Sequence, residues 1–92
     1  MMKRISATVT GRVQGVGYRY YVTDCADDRG ILGYVKNNPD GTVTVVAEGE
    51  ESSLRDFTEA LHATRDKYIK VNDISVIWEA ARHEFSDFGI RR

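Results

Sequence analysis

The chain opens with a run in which apolar and polar side chains alternate. From residue 5 to residue 13 every second position is apolar or glycine, and the positions between them are polar. A period of two is typical of a β-strand with one buried face. Four apolar or small residues then recur at the spacing of one helical face and predict a first helix: Tyr18, Val22, Cys25 and Ala26. Gly30 is suited to the left-handed conformation that commonly ends a helix.

A hairpin is predicted next, from strands over residues 32–38 and 42–48. The second of these strands is rich in β-branched side chains. Between the two, Pro39-Asp40-Gly41 is a strong turn signal, because proline fixes φ while aspartate and glycine tolerate turn conformations. The connection is therefore short enough to pair the two strands.

A second helix is predicted by apolar residues at helical spacing: Leu54, Phe57, Ala60 and Leu61. We expect Ser53 to cap its N-terminus, with Asp56 at the third helical position as a variant of the capping box. We expect this helix to end near Arg65 or Lys67.

The remaining residues predict two more strands. Ile74, Val76 and Trp78 stand at alternate positions, and Phe88 and Ile90 indicate a short terminal strand. The order β-α-β-β-α-β plus a terminal strand is typical of the α+β, ferredoxin-like split βαβ fold, with an antiparallel sheet and two helices on one face. Right-handed crossovers would place the first and third strands at the centre.

Length and charge limit the possible functions. Ninety-two residues suit one domain, residues 1–92. A net charge of −1, from 13 basic and 14 acidic residues, gives no general attraction for nucleic acid or a membrane surface. A single cysteine, Cys25, fits a reducing compartment, and no apolar run is long enough for a membrane span. We expect a cytoplasmic monomer without nucleic-acid or membrane partners.

The segment Val13–Arg19 is the first candidate for chemistry. Gly15 and Gly17 allow the backbone to curl so that successive N–H groups converge on an anion at a helix N-terminus. Arg19 adds a planar cation that matches phosphate oxygens. The alternative, a simple turn with a solvated arginine, stays open. A Rossmann fingerprint would need glycine where Tyr20 stands, and a Walker A loop would need Gly-Lys-Ser/Thr.

Other candidates carry less information. Asn37, near the end of the second strand, either approaches the glycine loop or prepares the following turn. His62 and His83 share no ligand spacing with Cys25 or with carboxylates, so we expect neither a metal nor a cofactor. The paired acidic residues at 27–28 and 50–51 are interpreted as solvated charges.

Two separated segments resemble the signature of the acylphosphatase family. Gly11–Arg19 resembles its loop motif, and Gly33–Asn37, followed by the Asp40-Gly41 turn, resembles its second motif. The resemblance implies a metal-independent hydrolase that converts small acyl phosphates into a carboxylate and orthophosphate. It also implies which residues bind the phosphoryl group: Gln14, Gly15, Val16, Gly17, Tyr18 and Arg19.

In the same family an asparagine orients the attacking water, and Asn37 stands at its position. Tyr18 replaces a phenylalanine that many relatives carry, and Tyr34 replaces a tryptophan; both changes keep an aromatic ring. Arg91-Arg92 replaces an aromatic ending, so the resemblance gives the tail no role. A non-catalytic phosphate- or carboxyphosphate-binding module remains an alternative. An RNA-binding module is disfavoured because the chain lacks a basic, aromatic-rich sheet.

Overall fold

The predicted order of helices and strands is confirmed by a computed structural model, which describes all 92 residues. The elements are β1 (Met2–Arg12), α1 (Tyr18–Asp28), β2 (Leu32–Asn37), β3 (Val43–Glu50), α2 (Glu51–Ala60), β4 (Lys70–Ala80) and β5 (Phe88–Arg91). They form a five-stranded sheet in the order β4-β1-β3-β2-β5. The two predicted central strands, β1 and β3, therefore lie inside the sheet.

One face of the sheet carries the core. Ile5, Ala7 and Val9 of β1 are buried, and Ile5 and Ala7 lie opposite Ala47 and Val45 of β3. Helix α1 packs on β2 and β5, whereas α2 packs on β3 and β1. The predicted buried face of α1 is confirmed, since Tyr18, Val22, Cys25 and Ala26 all join this core.

The end of α1 also follows the prediction. Gly30 has a φ of 65°. Its N–H donates to Asp27 O, and the N–H of Ile31 donates to Ala26 O. This pair of bonds is a Schellman motif, which satisfies carbonyl groups that the helix leaves without partners.

The boundaries predicted for the second helix were wrong at both ends. The helix begins at Glu51 directly after β3, so Ser53 lies inside it and caps nothing. The reason is that β3 stays paired with β1 as far as Glu50, and the N–H of Glu51 donates to Met1 O. The helix ends at Ala60 because the chain then turns, with Ala63 at a φ of 48°.

The sheet is mixed rather than wholly antiparallel, because β5 pairs with β2 in parallel. Strand β4 lies at one edge of the sheet and runs antiparallel to β1. Because β1 and β2 run in the same direction, the last residues of β4 lie at the end of the sheet where β2 begins. Residues 81–87 cross that end to reach the opposite edge. From there β5 can only run in the same direction as β2.

A buried carboxylate holds this crossing segment. The Glu48 carboxylate accepts hydrogen bonds from the N–H groups of Arg82 (2.8 Å) and His83 (2.9 Å) and from the Arg4 guanidinium (3.1 Å). Burial acts to raise the pKa of Glu48, but these three bonds outweigh it and hold that pKa below its usual value. Arg4 also donates to Glu84 at 2.7 Å, which ties the segment to β1 in addition to its bonds with Glu48 of β3.

Candidate active site

The loop between β1 and α1 has an open, concave surface. Gly15 and Gly17 have φ values of 73° and 80°, and Gly17 is the N-cap of α1. A Cβ added to either glycine would meet no atom within 4 Å. Positive φ, rather than lack of space, is therefore what calls for glycine here, and the region above the loop can accept a ligand.

This loop faces the N-terminus of α1, whose first amide groups lack helical acceptors. The cavity over it has a volume of about 210 Å³ and is lined by Val13, Gly15, Gly17, Tyr18, Arg19 and Tyr20. No acidic side chain lies in the first turn of the helix. Free N–H groups at a helix N-terminus favour an anion, so the loop has the features of a phosphate cradle.

Arg19 stands at the edge of this cradle without a carboxylate partner. It is half-buried, and none of the six ion pairs in the structure includes it. A guanidinium can form two parallel hydrogen bonds to a phosphate. The side chain is thus free to bind an anion in the cavity.

Asn37, the last residue of β2, lies in a larger cleft of about 610 Å³ that also includes Arg19 and Tyr20. Its Oδ1 atom is buried and accepts no hydrogen bond from the protein. Such acceptors are uncommon, because an unpaired buried polar atom costs about 1–3 kcal/mol. An acceptor beside an unpaired arginine is suited to a water molecule or a substrate.

Gln14 contacts a different part of the chain. Its Nε2 atom donates to Asn38 O at 2.8 Å and to Thr42 O at 2.9 Å, both in the turn between β2 and β3. The side chain therefore binds the protein, which leaves the backbone N–H as the group of Gln14 that could contact a phosphate.

These features agree with comparisons to known proteins. The sequence model of the acylphosphatase family matches residues 5–90. This chain belongs to the acylphosphatase family. It is 47% identical over 91 residues to the acylphosphatase of Methanospirillum hungatei, covering 99% of each chain.

Structural comparison identifies the same family as sequence comparison does. The crystal structure of the acylphosphatase from Bacillus subtilis superposes with a TM-score of 0.91 at 41% identity, covering 98% of this chain and 99% of that one. A full-length HypF in its phosphate- and nucleotide-bound form superposes with a TM-score of 0.90 at 27% identity, but this chain spans only 12% of it. These two acylphosphatases thus match along nearly their whole length, and HypF through a small part.

The family resemblance gave the C-terminal arginines no role, yet both lie at the cleft. Ile90, Arg91 and Arg92 line it together with Asn37. Arg91 lies opposite Lys36 in the parallel pairing of β5 with β2, which brings Arg92 beside Asn37. The Arg91 guanidinium stacks 4.0 Å from the centroid of the Tyr34 ring. Only the parallel placement of β5 could have indicated this arrangement.

The remaining candidates lie outside the cleft. His62 is exposed, in the turn after α2, and Cys25 is buried in the core. His, Cys, Asp and Glu side chains form no group of three or more that could hold a metal ion. Neither helix is long and apolar enough to cross a membrane.

Proposed function

We propose that this acylphosphatase-family chain hydrolyses small acyl phosphates by in-line attack of a water molecule that Asn37 orients on a phosphoryl group held by residues 14–19. One observation carries the assignment of roles. The unpaired guanidinium of Arg19 and the unpaired, buried Oδ1 of Asn37 line a single cleft beside the glycine loop.

The phosphoryl group would bind in the loop cavity. Backbone N–H groups of the loop would bind its equatorial oxygens, and Arg19 would neutralise charge that grows there in the transition state. Phosphoryl transfer depends mainly on such positioning and charge stabilisation. Donors fixed in advance need no reorganisation during the reaction, and this is the advantage of building the cradle from backbone.

Asn37 would act on the water. Its amide is neither acid nor base at ordinary pH, so it cannot remove a proton. A water that donates one O–H to Oδ1 of Asn37 has a lone pair free to face the phosphorus atom. As the new P–O bond forms and the bond to the acyl oxygen breaks, the water proton passes to a phosphoryl oxygen of the substrate.

Acid catalysis is unnecessary for this reaction. The leaving group is a carboxylate, which is stable without protonation. The six residues that line the cleft include no histidine and no aspartate or glutamate: Arg19, Tyr20, Asn37, Ile90, Arg91 and Arg92. We therefore expect turnover to persist in EDTA and to work in a monomer, since every group comes from one chain.

Turnover of benzoyl phosphate by the wild type, Arg19→Ala and Asn37→Ala tests the proposal. Loss of one preorganised donor lowers kcat by about 10²–10³-fold, and we expect at least that loss for Arg19→Ala and a comparable one for Asn37→Ala. A phosphate monoester should react far more slowly. Circular dichroism checks folding, and undiminished turnover in a folded variant would remove that residue from the mechanism.

A non-catalytic phosphate-binding module is the second candidate, favoured by the partial match to HypF. A single experiment distinguishes the two candidate functions. If the folded wild type binds inorganic phosphate but does not turn over benzoyl phosphate, the binding module is the correct function.

A further inference from the structure

The side chain of Gln14 joins the two halves of the candidate site. Gln14 belongs to the glycine loop, whereas its two acceptors, Asn38 O and Thr42 O, belong to the turn that follows Asn37. The bridge spans 24 and 28 residues of sequence. It is therefore a tertiary link and not part of local loop geometry.

The chemistry of the acceptors fixes the orientation of the amide. Both are backbone carbonyl oxygens, so the atom that faces them must be the NH₂ group and not the oxygen of Gln14. The two N–H bonds are used at 2.8 and 2.9 Å. No donor of this side chain remains for a phosphate.

The turn that receives Gln14 is itself tightly bonded. The N–H of Asn38 donates to Thr42 O at 2.9 Å, and the Asn38 side-chain amide donates to the hydroxyls of Thr42 (2.9 Å) and Thr44 (2.8 Å). Thr42 O thus accepts from both Asn38 and Gln14. A shift of the glycine loop relative to this turn would break both bonds from Gln14, because the turn is too tightly bonded to follow the loop.

We infer that Gln14 is a positioning residue that sets the distance between the phosphate cradle and Asn37. Its side chain holds the residue next to Asn37 and leaves the cradle to the backbone amides. The inference rests on the proposed function, in which the water on Asn37 must lie in line with a phosphoryl group in the loop. Misplacement by about 1 Å can cost on the order of 10²-fold in rate.

Gln14→Met tests this role, because methionine has a similar length and no donor. We expect kcat for benzoyl phosphate to fall about 10- to 100-fold, since Asn37 and the cradle lose their alignment. The inhibition constant of inorganic phosphate should change by less than about threefold, because the loop amides and Arg19 remain. Thr64→Met, at an exposed position beyond α2, serves as the matched control.

A double-mutant cycle separates positioning from general damage. If Gln14 acts through Asn37, then Gln14→Met should change kcat by less than about threefold in an Asn37→Ala background, because residues that act as a unit are non-additive. If the two effects multiply, the inference is wrong. Equal losses of phosphate affinity and kcat/KM would likewise overturn it and make Gln14 a phosphate ligand.

Two controls keep the outcomes distinct. If Gln14→Met does not fold, Gln14→Asn replaces it; this variant keeps the amide but is too short to reach both carbonyls, so the same kinetic pattern is expected. An inactive wild type would refute the proposed function itself. An active wild type with unchanged kcat in folded Gln14→Met would refute only the role of Gln14.

Discussion

Two glycines that look alike in the sequence are required for different reasons. At Gly17 an added Cβ would meet no atom within 4 Å, although the φ of 80° is unfavourable for other residues. At Gly33 the same atom would lie 1.9 Å from Val46 O. Gly33 is thus needed for the packing of β2 against β3, and Gly17 for the shape of the cradle.

Gly17→Ala should therefore impair phosphate binding more than folding. Holding alanine in the left-handed conformation costs about 1–2 kcal/mol, and the loop can relieve this strain by rotating amides away from the cavity. We expect a weaker inhibition constant for inorganic phosphate, by about 5- to 30-fold, with an unchanged circular dichroism spectrum. Full phosphate affinity in the variant would show that the cradle does not depend on this backbone conformation.

At the level of elements, the segment between β4 and β5 depends on one side chain. Glu48 is 2% exposed, and its carboxylate is the acceptor that fixes both Arg82 and His83. Without it, two backbone N–H groups would lose their partner and the Arg4 guanidinium would lose one of its carboxylate partners. Residues 81–87 would then keep their side-chain bond with Arg4 but lose both of their backbone bonds to Glu48.

Glu48→Gln should lower the free energy of unfolding by about 3 kcal/mol at neutral pH, since breaking a buried ion pair from one side is strongly destabilising. The folded pKa of Glu48 lies below its ordinary value. Its contribution is therefore fully present above the unfolded pKa of about 4.3 and is lost as pH falls through the folded pKa.

Urea unfolding at several pH values measures this difference, with the exposed Glu59→Gln as the control. We expect the gap between wild type and Glu48→Gln to be largest at neutral pH and to shrink in acid. A gap of constant size down to pH 3 would show that the charge of Glu48 is not its source.

At the level of the whole molecule, positive charge is concentrated although the net charge is −1. Arg19, Arg91 and Arg92 all line the cleft, and no acidic side chain does. The anionic substrate thus meets a favourable local field in a chain that has no general affinity for anions.

Arg92→Gln should raise KM for benzoyl phosphate about two- to fivefold and leave kcat unchanged, because an exposed charge contributes only about 0–1 kcal/mol. Raising the salt concentration should reduce the difference, since exposed charges are screened. Arg65→Gln, at an exposed position outside the cleft, is the matched control. A large loss of kcat would instead assign Arg92 to the chemical step.

Local patterns predicted most of the fold. Alternation in β1, the spacing from Tyr18 to Ala26 and the glycine at position 30 each act over a few residues, and all were interpreted correctly. The start of α2 was wrong because the pairing of β1 with β3, a contact between distant residues, extends to Glu50. The parallel direction of β5 was missed for a similar reason, since it depends on a segment that crosses the sheet.

The candidate site, like the fold, combines residues that a local sequence pattern reveals with contacts that no local pattern reveals. Glycines and an arginine at a strand-to-helix junction are visible in the sequence, which also marked Asn37 as a candidate, and the family resemblance gave Asn37 a role. The bonds from Gln14 to the turn, and from the Tyr18 hydroxyl to Leu61 O at 2.6 Å, join residues far apart in the chain. Such partners have no local signal. Family resemblance can therefore mark a residue like Gln14 without showing what its side chain contacts.

The bonds of Gln14 have a consequence for engineering this chain. Pro39-Asp40-Gly41 is an exposed hairpin turn, the kind of place usually selected for a peptide insertion or for new termini in a circular permutation. Here the residues on either side of it hold the glycine loop, so an insertion would disturb the site as well as the turn. The segment around Thr64 and Arg65, which is exposed and does not line the cleft, is the better place for a graft.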